Sequence, residues 1–143
     1  MLIIGLLAAI AIPAFFNQRS KATDANAKEA AHTTQVAMET FATDNGGSYA
    51  AATVAKLQAI EPTVPTGTAV AGKMSLAITG TGGAGSPTLS GYRVTVTAAT
   101  TGNTFSIDRT GGVLSYPCNV VATNTTSGGC VTTTGVTGAG SWG

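Results

Sequence analysis

The stretch MLIIGLLAAIAIPAFF, Met1 to Phe16, decides how this chain is read. It has no charged residue and no side chain that seeks water, and at about 1.5 Å per residue it makes a helix of roughly 24 Å. A hydrocarbon core is nearer 30 Å thick, so the run is slightly short of a full span. Asn17-Gln18-Arg19-Ser20-Lys21 follows, and the Ala-based polar pattern beyond continues the same helix. An apolar front half on a water-compatible back half is an unusual helix for a soluble domain. A secretory signal peptide with Ala9-Ile10-Ala11 as cleavage site is one reading, opposed by positive charge that follows the run rather than precedes it. A simple membrane anchor and a core helix of a globular protein are two more. The fourth is that the run buries itself against copies of itself.

Beyond Ala22 the residues Ala27, Ala30, Ala31, Thr34, Met38 and Phe41 recur at steps of three and four, one face of a helix reaching about Thr43. Lys28, His32, Gln35 and Glu39 are expected on the opposite face, with His32 a solvated or interface residue. The stripe is amphipathic, so this half should lie across a sheet or bundle. Asp44-Asn45-Gly46-Gly47 stops the helix, because Asn and Gly tolerate the left-handed conformation of a C-cap. Asp44 and Asn45 are too few oxygen donors to be read as a calcium site. Ala51 to Ile60 suits a short helix ended by Pro62 and Pro65.

The remainder alternates with period two. Met74, Leu76 and Ile78 share one face; Tyr92, Val94 and Val96 another; Phe105 and Ile107 a third, with Thr104, Ser106 and Asp108 outward. Val113 to Tyr116 follows an Asp108-to-Gly112 turn. Four sequential strands imply an antiparallel meander. From Cys118 the chain is Thr, Gly, Asn and Ser with few apolar anchors, and reads as a long surface loop. Trp142 packs on the head or on a neighbour.

Composition bounds the function. The 143 residues suit one domain, charged residues are 9% against roughly 25% in ordinary domains, and net charge is +1. No strong field is available for nucleic acid or an anionic membrane. A low-charge surface favours association. One histidine and no nucleophile elbow leave nothing to build a triad from. Clusters such as Gly80-Thr81-Gly82-Gly83 precede loops rather than helices, so they are not phosphate loops. No enzyme, cofactor or metal is expected, and aromatic residues at 6% do not suggest electron transfer.

AAIAIPAF followed by NQRSKA resembles the N-terminal helix of bacterial type IV pilins. Gly5, Pro13, the paired Phe15-Phe16 and the basic residues after them fall where such pilins carry theirs, and the DNG-plus-tyrosine pattern at 44–49 matches the helix-to-loop transition of pilins and their secretion-system relatives. The resemblance is strong over the first 22 residues and loose thereafter. Such pilins begin with a phenylalanine and a glutamate shortly after it; both are expected upstream of Met1, with roughly two to three helical turns.

The resemblance implies an α+β fold: a long N-terminal helix, its C-terminal half packed on a four-stranded antiparallel sheet, and a C-terminal disulfide-closed loop. Residues 1–21 would be membrane anchor before assembly and filament core after, and 22–143 the head. Leu2, Ile3, Ile4, Leu6, Leu7, Ile10, Ile12, Phe15 and Phe16 would pack the core of a helical homopolymer, and the Gly5-to-Pro13 segment would lose helical structure inside it. Small residues such as Ala8 permit close helix approach. In an exported head Cys118 and Cys130 are expected as one disulfide, worth about 3 kcal/mol; a metal pair would need two further ligands, and free thiols are the other alternative. Asn124-Thr125-Thr126 fits the glycosylation sequon, a pattern of low specificity.

The expected product is an extracellular type IV pilus filament drawn from a single-pass inner-membrane pool, with the chain itself, the pilus assembly machinery and a prepilin peptidase as partners. Adhesion, twitching motility and DNA uptake are not distinguished. The alternatives are a pseudopilin or minor pilin of a type II secretion-like system, and a membrane-anchored binding module that never polymerises.

Overall fold

A computed structural model describes residues 2–124, 126–133, 135 and 137–143, with the side chains of residues 2 and 4–14 outside that description. The fold is α+β. Helix α1, Leu2–Asp44, is a single 43-residue element, about 65 Å long. Its described side chains divide it. Residues 15–19 are exposed, whereas Asp24, Ala27, Ala31, Thr34, Met38 and Phe41 are buried against the sheet. Alanines at 27 and 31 let the backbone approach closely, and the buried Thr34 hydroxyl is satisfied by the Ala30 carbonyl at 2.7 Å.

The helix ends as the sequence implies. Asn45 Nδ2 donates to the Phe41 carbonyl and the Gly47 N–H to that of Ala42, both at 2.7 Å. Gly46 and Gly47 take φ of +65° and +84°, which side chains bearing Cβ resist. Helix α2, Val54–Ile60, is capped by the Thr53 hydroxyl and buries Leu57.

Strands β1 (Ser75–Thr79), β2 (Tyr92–Thr97), β3 (Thr104–Thr110) and β4 (Val113–Ser115) form the expected meander through consecutive antiparallel pairings. In β2, Tyr92, Val94 and Val96 are buried and their neighbours half-buried. Gly111 and Gly112, at φ +57° and +85°, supply the two positive angles of the tight β3–β4 turn.

The sheet is larger than the four strands expected. β5 (Pro117–Val120), β6 (Val131–Thr132) and β7 (Gly138–Ser141) bring it to seven, in the order β1-β2-β3-β5-β7-β6, with β4 also paired to β3. The tail, expected as a long surface loop, thus contributes three short strands to the sheet, with loop at 121–124 and 126–130 between the first two. Its pairing is carried by backbone: a Cβ on Gly140 would collide with the Val131 carbonyl, so only glycine admits that strand approach.

Two finer expectations also change. Ser106 and Asp108, expected outward, are each only 6% exposed. Arg93 and the Gly82 N–H both bind Asp108 Oδ2, and Thr95 shares a 2.8 Å hydrogen bond with Ser106, so the outer face is itself covered. Lys28, His32, Gln35 and Glu39 each follow a stripe residue by one position, about 100° round the helix. They flank the sheet instead of opposing it: Lys28 lies over Phe105, and Glu39 binds Tyr92.

Candidate functional site

Among the described residues, the upstream part of α1 presents apolar groups to solvent. Ile3 is 75% exposed, Phe15 67% and Phe16 58%, and the two phenyl rings meet edge to face at 6.3 Å. Leu2, Ile4, Leu6, Leu7, Ile10 and Ile12, with Gly5 and Pro13, lie outside the described side chains, although the helical backbone runs through them. Among the described residues no helix is long and apolar enough to cross a membrane.

Where the exposed part of α1 gives way to the buried part, the helix meets the disulfide loop. Cys118 and Cys130 are bonded, with Cα atoms 5.9 Å apart, and both are buried. The loop between them sits on a polar cluster that the apolar stripe does not reveal. Asp24 is fully buried and accepts hydrogen bonds from Thr101 Oγ1 and, at 3.0 Å, from Asn103 Nδ2. Asn103 Oδ1 in turn accepts from the Val121 N–H at 3.1 Å and from Asn124 Nδ2. The Asn124 amide nitrogen, where a sugar would attach, also donates to the Thr101 carbonyl at 2.9 Å. The one sequence signal for this cluster is spacing: Asp24 precedes Ala27 and Ala31 by three and seven residues, on the same helix face.

A second cluster lies at the other end of the head. Glu39 accepts from Tyr49 Oη at 2.7 Å, Tyr92 Oη at 3.0 Å and Arg109 Nη1 at 3.0 Å. Burial, then the hydrogen bond and charge of Glu39, push the Tyr49 phenol up to about 12. Burial, then the Glu39 charge, also raise Tyr92. Glu39 and Arg109 are partly exposed, so their ion pair is worth no more than about 1 kcal/mol. The cluster ties the last turns of α1 to β2 and β3.

Between the clusters Trp142 packs back on its own head. Its ring lies 5.9 Å from Phe105, 5.4 Å from Tyr116 and 5.2 Å from His32, and its N–H donates to the Ser106 carbonyl at 2.9 Å. Lys28 Nζ sits 5.1 Å from the Phe105 ring centre and 5.7 Å from that of Trp142. Burial lowers the Lys28 pKa, with the charge of Asp24 opposing.

On the other flank of α1 an open groove of about 530 Å³ runs between the helix and the 62–74 connection, past Thr23, Asn26, Val64, Pro65 and Met74. No group of three or more His, Cys, Asp or Glu side chains among the described residues is placed to hold a metal. The arrangement offers a helix with exposed phenylalanines upstream, a head clamped to its downstream half at two polar points, and a disulfide loop at the junction. Compared with protein-family models, curated proteins and solved structures, the chain matches none.

Proposed function

We propose that this chain is a structural subunit that polymerises through its N-terminal apolar helix into an extracellular filament of the type IV pilus kind. The observation that supports it is the division of α1: Phe15 and Phe16 are largely exposed, while Ala27, Ala31 and Met38, farther along the same helix, are buried. Burying a phenylalanine stabilises by about 1.5–3 kcal/mol, so two exposed rings on one helix favour any packing that removes them from water. Identical helices packed side by side do so, and the uncharged, apolar composition of residues 2–12 suits the same packing. Before assembly the run lies in the inner membrane, with the assembly machinery and a prepilin peptidase as the partners the resemblance implies. The apolar run itself carries no acidic residue to match the docking glutamate that the resemblance implies.

The test is electron microscopy of filaments sheared from the producing cells, with mass spectrometry of their main component. Long thin filaments built from this chain are the expected result. Recovery of the chain only in membrane fractions would overturn the reading in favour of a pseudopilin or an anchored module.

A further inference from the structure

We propose that the free flank of α1 is a docking groove for a second copy of this chain, which enters it with Phe15, Phe16, Arg19 and Lys21. The proposal rests on the filament reading above for the identity of the occupant, and adds where on the head that occupant sits.

The groove follows from how the helix is laid on the sheet. The buried stripe of α1 has two flanks, and their side chains differ in size. One flank carries Lys28, His32, Gln35 and Glu39. The other carries Thr23, Asn26, Ala30, Thr33, Ala37 and Thr40, each one position before a stripe residue. Three open hollows of about 530, 310 and 420 Å³ lie along this second row. Asn26, Thr63 and Met74 line both the first and the second, and Thr33 lines both the second and the third, so they form one groove. From Thr23 to Thr40 it is about 26 Å long, close to five helical turns. The far wall is Val64, Pro65 and Met74 at the wide end, and Ile60 and Glu61 at the narrow end. A floor of small side chains beside a straight helix admits a second helix at the usual spacing of about 8–10 Å.

The charges specify the occupant. Phe15 and Phe16 are exposed, and Arg19 stands three and four residues on, over the same face. Lys21 points about 200° round from Arg19. The groove carries a carboxylate on each wall, Glu29 on the α1 side and Glu61 opposite. Thr63 fixes Glu61, donating to its Oε1 from the backbone N–H at 3.2 Å and from the hydroxyl at 2.8 Å. The ion pairs among the described residues are Arg93–Asp108 and Arg109–Glu39, so these two acids and two bases are not engaged with one another inside one chain. Lys73 lines the wide end, which therefore takes the phenyl rings and leaves the acidic end to the cations.

Copies related by a filament's screw axis run in the same direction. With Phe15 and Phe16 of the second copy beside Asn26, its Arg19 comes level with Glu29 and its Lys21 faces the Glu61 wall. That is a stagger of about ten residues, or about 15 Å along the helix. Because α1 is unbroken from Leu2 to Asp44, a chain cannot fill its own groove. Groove and phenylalanines are different surfaces of one chain, so the contact is head-to-tail and repeats instead of closing as a two-fold pair.

The test is carbodiimide coupling, which joins an amine to a carboxylate in contact, applied to the membranes and the sheared filaments of producing cells. Coupled dimers are separated on a denaturing gel and their digests sequenced. The expected dimer joins Lys21 of one copy to Glu61 of the other. Arg19 and Glu29 are both exposed, and changing them leaves the linked residues in place. Arg19→Glu and Glu29→Arg should each lower the dimer yield about tenfold, because like charges then face each other across the contact. Combining the two should restore it. Absence of the Lys21–Glu61 link from both fractions, or a double variant no better than the singles, overturns the docking; filaments that form all the same leave the filament reading standing. The link recovered from membranes of cells without filaments supports the docking and overturns the filament reading instead.

Discussion

Gly128 and Gly129 share the left-handed conformation, at φ +58° and +83°, yet they are not equivalent. Replacing either by alanine incurs the same backbone penalty of about 1–2 kcal/mol. Only at Gly128 does the new methyl meet a buried carboxylate whose two partners are fixed; at Gly129 it meets the free end of Lys28, which can swing aside. Gly128→Ala is therefore expected to lose about 1–3 kcal/mol more than Gly129→Ala in urea unfolding, the range for disrupting a buried hydrogen-bonded group. Equal losses would refute the Asp24 clamp. At the other cluster, folding raises both Tyr49 and Tyr92 above the unfolded value of about 10. The native chain then holds these protons more tightly than the unfolded one. Their contribution is whole below pH about 10 and is lost as pH rises through the folded values. Unfolding free energy should fall above pH 10, and Tyr92→Phe should flatten that fall. An identical pH dependence of unfolding in the parent and in Tyr92→Phe would contradict this.

At the level of elements, legibility follows side-chain pattern. The α1 stripe and the alternation of β2 are readable because their buried residues recur at the helix and strand periods. β7 is not, because Gly138-Ala139-Gly140-Ser141 has almost no side chain to alternate and its register is held by backbone bonding to β5. Asp24 escapes notice because a carboxylate on an apolar face enters no hydrophobic count, and its partners lie some 80 residues away in Thr101 and Asn103. The outer face of β3 misleads because its cover comes from Arg93 and the Thr81–Gly83 turn, neither of which alternation can report. Within α1, Pro13 has no N–H for the carbonyl four residues back, and proline costs about 3 kcal/mol more than alanine in a helix interior. The helix nevertheless runs through it in the single chain. In the proposed filament the Gly5-to-Pro13 segment is where tension unwinds the helix. Filaments of a Gly5→Ala, Pro13→Ala chain should stretch markedly less in single-filament pulling; unchanged extension would rule that segment out.

Over the molecule as a whole, the exposed rings and the packed head are separable. Phe15→Ser with Phe16→Ser should leave the head's thermal transition within about 0.5 kcal/mol of the parent, the usual range for surface changes. Sheared filaments, counted by microscopy, should nearly vanish. Intact filament yield would count against assembly through these rings. The strand order carries one more implication. β1 to β4 close through successive hairpins, but the flank of β3 beside Thr104 and Phe105 waits for β5, and β5 in turn for β7, which comes after β6 in the chain. A polypeptide emerging from the ribosome thus holds a ready-made template for strand pairing before β7 exists. Two nascent copies meeting in that interval can pair with each other instead. Gly138–Ser141 is the segment that takes up the open edge of β5.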